Sequence, residues 1–240
     1  MATYNIHKAE TRGHAQHGWL DSYHTFSFAE YYDPNRIHFG ALRVLNDDTI
    51  AGGTGFSTHP HNNMEIISIP LEGALKHKDS MGNETVITTG EIQVMSAGSG
   101  ILHSEHNGNA DQIGKFLQIW VIPRTRDVTP RYDQITVSKE DKRNRLLQVL
   151  SPSKDDAGVW IHQDAWFYLG LFDEGFKTEA SVKGESVSGF YAFVLEGTFE
   201  IDGQVLNRRD GMEISDVVSI SIKALAQDSE ILLMEVPLVF

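Results

Sequence analysis

The sequence predicts an all-β protein built from two related β units, and three observations carry that expectation. Apolar runs of four to eight residues recur along most of the chain with turn residues between them. Helix-period segments are few. One stretch echoes another: "ISIPLEGALKH" followed by "TTGEIQVMSAG" returns as "YAFVLEGTFEI" followed by "RRDGMEISDVV", with the glycine of "TGE" 17 residues after that of "LEG" in the first copy and the glycine of "DGM" 14 residues after it in the second.

In chain order the strand candidates are "ALRVLN", "MEIISIPLEG", "EIQVMSAG", "KFLQIWVIP", "RLLQVLS", "AWFYLGLF", "FYAFVLEG", "TFEIDG", "VVSISIKA" and "EILLMEVP". Many short strands at regular spacing read as a sandwich or barrel. Short helices are expected only in "KEDKRNRLLQV" and at the extreme N-terminus. The polar stretch "PRYDQITVSKEDKRNR" reads as the linker, which puts the domain boundary near residue 140: an N-terminal domain over 1–140 and a C-terminal one over 141–240.

Composition narrows the function. Among 240 residues there is no cysteine, so thiolate metal sites, disulfides and a cysteine nucleophile are excluded. Any metal must be held by nitrogen and oxygen. The net charge of −13 offers no basic face, which argues against direct nucleic-acid binding. The N-terminus lacks the apolar stretch of a signal peptide, and no run approaches the roughly 20 apolar residues that span a bilayer, so a cytoplasmic, membrane-free protein is expected.

The chemistry-bearing stretch is "STHPHNNMEI". With 11 histidines, an HxH spacing arises readily by chance. Strand geometry adds the support: residues i and i+2 point the same way, with Cβ atoms roughly 6.5–7 Å apart, so His59 and His61 can converge on one ion. Each of two pairs, His59/His61 and His103/Glu105 in "GILHSEHN", follows a glycine-bearing turn as if starting a strand. Three nitrogens and one carboxylate suit Fe, Mn, Ni, Cu, Co or Zn, and are too nitrogen-rich for Ca or Mg. Glu65 shares the parity of His59 and His61 and competes with Glu105 for the fourth position; parity does not choose. His106 is expected to face away and His77 to lie on a polar face, while His7, His14, His17, His38 and His162 have no comparable pairing. His24, in the aromatic "SYHTFSF", is the one further histidine of interest.

At these residues the sequence resembles a cupin. "GTGFSTHPHNNMEIISIPLEG", Gly53 to Gly73, is similar to the first cupin motif with one extra residue before its last glycine. "GEIQVMSAGSGILHSEHN", Gly90 to Asn107, resembles the second, with Ser96 where proline is usual. The longer second motif, "HPH" and "HSE" resemble the pirin family, and further similar stretches are "RGHAQHGWLDSYHTFSFAEYYDP", "FGALRVLNDD", "DSMGN", "LQIWVIP", "TPRY" and "IHQDA", covering residues 12 to 164.

The resemblance implies a bicupin of two jelly-roll β-barrels, with metal ligands His59, His61, His103 and Glu105 in the first barrel and none in the second. It therefore selects Glu105 over Glu65. Among bacterial pirin-like proteins it implies a quercetinase: a dioxygenase that cleaves a flavonol or similar enol with O2 and releases CO, using one divalent transition metal, iron first. Glu105 is then also the candidate general base. Phe56, Met64, Met95, Phe116 and Trp120 are candidate pocket walls. Two cupins in one chain can supply internally the packing that single cupins find by dimerising, so a monomer is expected. The other function that the resemblance implies is a non-enzymatic, redox-responsive metalloprotein that binds protein partners such as transcription regulators. A purely structural zinc site is the third alternative, disfavoured by the absence of thiolates.

Overall fold

All ten apolar runs form strands in the computed structural model, which describes residues 1–184 and 186–240. The first half of the chain carries β1 (Thr3–His7), β2 (Gly13–Gln16), β3 (Leu20–His24), β4 (Leu42–Ile50), β5 (Gly55–His61) and β6 (Glu65–Glu72). It continues with β7 (Ala74–Asp79), β8 (Glu84–Thr88), β9 (Glu91–Ser96), β10 (Ile101–Asn107), β11 (Gly114–Val121) and β12 (Arg131–Thr136). The second half holds β13 (Leu147–Ser151), β14 (Val159–Trp160), β15 (Trp166–Phe172), β16 (Lys177–Ser181) and β17 (Ser188–Glu196). It ends with β18 (Thr198–Ile201), β19 (Gln204–Asn207), β20 (Gly211–Ser215), β21 (Ser219–Ala224) and β22 (Ser229–Pro237).

These strands make two seven-stranded and two four-stranded sheets. The N-terminal pair has the orders β12-β9-β6-β11-β4-β3-β2 and β5-β10-β7-β8; the C-terminal pair has β1-β20-β17-β22-β15-β13-β14 and β16-β21-β18-β19. The chain passes from the large sheet to the small one at Gly73 in the first half and Gly197 in the second, with φ of 78° and 77°. Both corners need the left-handed conformation that glycine adopts without strain. The repeat of "LEG" in the sequence is thus a repeat of one sheet-changing corner.

The largest apolar cluster lies between the two halves. Leu45, Ile67, Val94, Leu117 and Ile119 from one large sheet pack against Phe167, Leu169, Phe193, Leu232 and Met234 from the other. The two large sheets thus bury their outer faces against each other. Each half also has its own interior: the second is filled by Phe172, Phe190, Phe199, Ile201, Ile214, Ile222, Leu233 and neighbours. The first has only small apolar clusters at its ends, such as Leu20, Ile50, Leu75, Ile87 and Phe116.

Two expectations meet a different outcome. Neither short helix forms: the N-terminus is strand β1 with one 3-10 turn at Ala9–Thr11, the only helical segment among the described residues. In 139–149, Asn144 adopts φ 54° and donates its backbone N–H to the Leu171 carbonyl, so pairing with β15 breaks the helical path. The polar stretch read as linker contains β12, which extends the N-terminal sheet beside β9 through Tyr132↔Met95 and Ile135↔Ile92. Conversely, β1 leaves its own half and pairs with β20 from Thr3↔Ser215 to His7↔Gly211.

Candidate metal centre

Strands β5 and β10 run antiparallel with His59 directly opposite His103 and His61 opposite Ile101. His59 and His61 are thus the last alternate residues of β5, rather than the start of a strand, and share a face with His103. The three rings meet at centroid separations of 4.4 to 4.9 Å. One ring nitrogen from each lies within 4.8 Å of the others. His59 is oriented by donating Nδ1–H to the Ser57 carbonyl at 2.7 Å, which leaves its Nε2 lone pair free.

His103 is buried, and neither of its ring nitrogens has a hydrogen-bond partner. Buried polar atoms are nearly always paired. Burial, reinforced by His59 and His61, drives the His103 pKa down to about 2; burial and then His59 bring His61 to about 4. Both imidazoles are neutral at physiological pH and have lone pairs to offer. A divalent transition ion fits this donor set and would give His103 the partner it lacks.

Glu105 follows His103 after a break in register, where it faces Phe56 of β5. A bulge of this kind re-aims a side chain. Its carboxylate accepts from Gln118 Nε2 at 2.5 Å, Ser68 Oγ at 3.0 Å and Gln93 Nε2 at 3.4 Å. It groups with His103 and His77, and shares one cavity with His59 and His61. Glu65 lies elsewhere. The parity that made it a competitor is counted across the turn at Asn63, whose φ is 48°, and Glu65 begins β6 in the other sheet. There it accepts from Ser96 Oγ at 2.6 Å, and burial pushes its pKa up to about 7.

His77 does not lie on a polar face. It is fully buried opposite Glu105, hydrogen-bonded to Asp79 at 3.1 Å, stacked on Tyr132 at 4.9 Å and 5.4 Å from the His103 ring. The alternation in "KHKD" carried that signal, since Lys76 and Lys78 claim the solvent face. Ser68, Gln93 and Gln118 also had a legible signal: each is a polar residue interrupting an apolar strand.

The cavity beside the imidazoles has a volume of about 600 Å³, inside the roughly 300–1,000 Å³ of small-molecule sites. Trp19, Phe28, Phe56 and Trp120 give it flat apolar walls, and His24, Asn46 and Asp48 give it polar ones. Phe56 and Trp120 are therefore walls as expected. Met64 lines a second, more open hollow of about 520 Å³ on another side of His61 and Trp120. Met95 and Phe116 are core residues.

Comparison with known proteins agrees with this architecture. The family model described as Pirin matches residues 5–121, and one described as the quercetinase C-terminal cupin domain matches 148–236. The chain is 45% identical over 233 residues to the quercetin 2,3-dioxygenase of Escherichia coli K12, covering 97% of this chain and 98% of that one. It is 42% identical over 224 residues to a pirin-like protein of Caulobacter vibrioides, covering 93% and 95%. Its structure resembles that of the E. coli bacterial pirin YhhW in complex with nickel(II), with a TM-score of 0.92, 42% identity and coverage of 98% and 99%. With two cupin domains in an all-β chain and relatives this similar along nearly their whole length, this protein belongs to the pirin family.

Proposed function

We propose that this protein is a metal-dependent dioxygenase of the quercetinase type, which opens a flavonol or a similar planar enol with O2 and releases CO. The observation that carries the reading is the meeting of three imidazoles, two of them lining an aromatic-walled cavity that a buried carboxylate also lines. The names of the relatives and the nickel(II) complex of the E. coli pirin support it.

In this reading His59, His61, His103 and Glu105 hold one divalent transition ion, iron in the first instance, with nickel, manganese, copper, cobalt and zinc as the other ions the set accommodates. When bound, the ion supplies Lewis acidity toward the enol oxygen and a seat for dioxygen. Trp19, Phe28, Phe56 and Trp120 clamp the planar substrate and exclude water. Glu105 takes the proton of the substrate's enol hydroxyl on a carboxylate oxygen, which leaves the electron-rich enolate to react. Gln118, Ser68 and Gln93 hold that carboxylate in place for both duties. The boundary between the metal-binding domain and the ligand-free one is placed near residue 140. The chain is monomeric in this reading, because its two large sheets already cover each other.

The test is aerobic incubation of protein loaded with Fe, Mn, Ni or Cu with quercetin, following loss of the near-ultraviolet flavonol band and release of CO. Turnover with at least one ion is expected; none at full metal occupancy overturns the reading. Metal loss in Glu65→Gln but not in Glu105→Gln would overturn the ligand assignment.

A further inference from the structure

We propose that His24 and Asn46 form a recognition pair that reads a phenolic hydroxyl on the part of the substrate remote from the imidazole cluster; this rests on the cavity being the flavonol site. The two residues face each other across β3 and β4, so their side chains share one face of the sheet. Both are buried, and both line the cavity. His24 Nδ1 and Asn46 Oδ1 have no hydrogen-bond partner, and Trp120 Nε1, at the same cavity, is likewise unpaired. Buried polar atoms are rarely left unpaired, so three on residues lining one cavity point to an occupant that pairs them.

The neighbouring polar groups are already committed. Gln118, Ser68 and Gln93 serve Glu105, and Asp48 accepts from Ser22. A run of edge-on ring contacts connects the cluster to the pair: His61 to Trp120 at 4.9 Å, Trp120 to Phe28 at 5.4 Å, and Phe28 to His24 at 5.2 Å. An elongated aromatic body can follow that run of rings from the cluster to the pair. At its far end the open atoms call for a group that both donates and accepts. A phenolic hydroxyl does this, donating to Asn46 Oδ1 and accepting from His24 in its Nδ1–H tautomer. Trp120 Nε1–H, closer to the cluster, suits an oxygen acceptor on the same molecule.

The test is binding without oxygen. Nickel-loaded protein is titrated anaerobically with quercetin and with 3-hydroxyflavone, which has the same rings and enol but no other hydroxyl. The wild type is expected to bind quercetin about tenfold tighter, and that ratio is expected to fall below about threefold in Asn46→Leu and in His24→Phe, as for loss of one hydrogen bond. A wild-type ratio near one, or variants that keep the full ratio, overturns the pair. Should the variants not fold, zinc-loaded wild type decides by nuclear magnetic resonance: the Asn46 side-chain amide signals shift with quercetin and stay with 3-hydroxyflavone, and equal shifts overturn the proposal. Because no turnover is needed, protein that shows this preference yet never consumes quercetin keeps the pair and loses the dioxygenase reading. Binding of neither flavonol removes both.

Discussion

The two barrels use one frame and fill it differently. From the Leu-Glu-Gly corners outward, their sheet registers match position for position. Ser68, Gln93, Gln118 and Asn46 form one cross-strand row in the first large sheet, and Ala192, Met212, Leu233 and Tyr168 form the same row in the second. In the small sheets, His59, His61, His103, Glu105 and His77 stand where Ala180, Val182, Ile220, Ile222 and Ile201 stand in the second. Apart from the Tyr168 phenol, the second set of positions is apolar, while the first trades that packing for lone pairs, a carboxylate and a cavity. The fold itself tolerates either filling, so the chemistry resides in the substituted positions.

Four changes would break or sharpen this contrast. The largest effect is expected from His103→Ala, which removes the most buried of the three clustered imidazoles: a loss of roughly 10²–10³-fold in metal affinity, about 3–4 kcal/mol as one ligand's share of the proposed four-ligand site, read by metal occupancy after dialysis against a graded chelator. Retained metal would sever the cluster from any binding role.

Next is Glu65→Gln, at a position where the second barrel has Gly189. Its folded-state pKa of about 7 stands above the 4.5 of the unfolded chain. Between those values the unfolded chain gives up the proton and the folded one keeps it, so native stability falls as pH rises and levels off above 7. The variant lacks this loss. Its advantage over wild type in urea unfolding should be absent at pH 4 and reach about 3 kcal/mol at pH 8; a constant difference at both pH values would refute the assignment.

Leu233→Gln puts the amide of Gln118 into the hydrocarbon barrel, where no carboxylate awaits it. A stability cost of about 2–3 kcal/mol with metal binding untouched is expected, because the amide is buried without partners. The reciprocal Gln118→Leu strips a donor from Glu105 and should lower metal affinity about 10- to 100-fold, as loss of an orienting partner does. Equal behaviour of these two variants in both assays would erase the distinction between the barrels.

The strands were readable because each apolar run needs burial on a sheet. The meeting of His59, His61 and His103 was readable through "HPH" and "HSE", local patterns in which neighbours in sequence remain neighbours in space. What escaped depended on register. His77 reaches His103 and Glu105 only because β7 pairs with β10, and no local pattern encodes that pairing. Glu65 remained a rival for as long as its parity was counted through a turn whose Asn63 resets the chain's direction. His24 and Asn46 are ordinary polar residues until β3 and β4 set them side by side at a cavity. β1 was hidden for the opposite reason: its partner lies more than 200 residues downstream.

That last pairing sets an order of events during synthesis. β1 is made some 200 residues before its partner, β20. Until then β1 waits as a loose end while the barrel behind it closes, and β20 on its own would present an open sheet edge to other chains. Loss of β1 would therefore harm the barrel encoded some 200 residues further along.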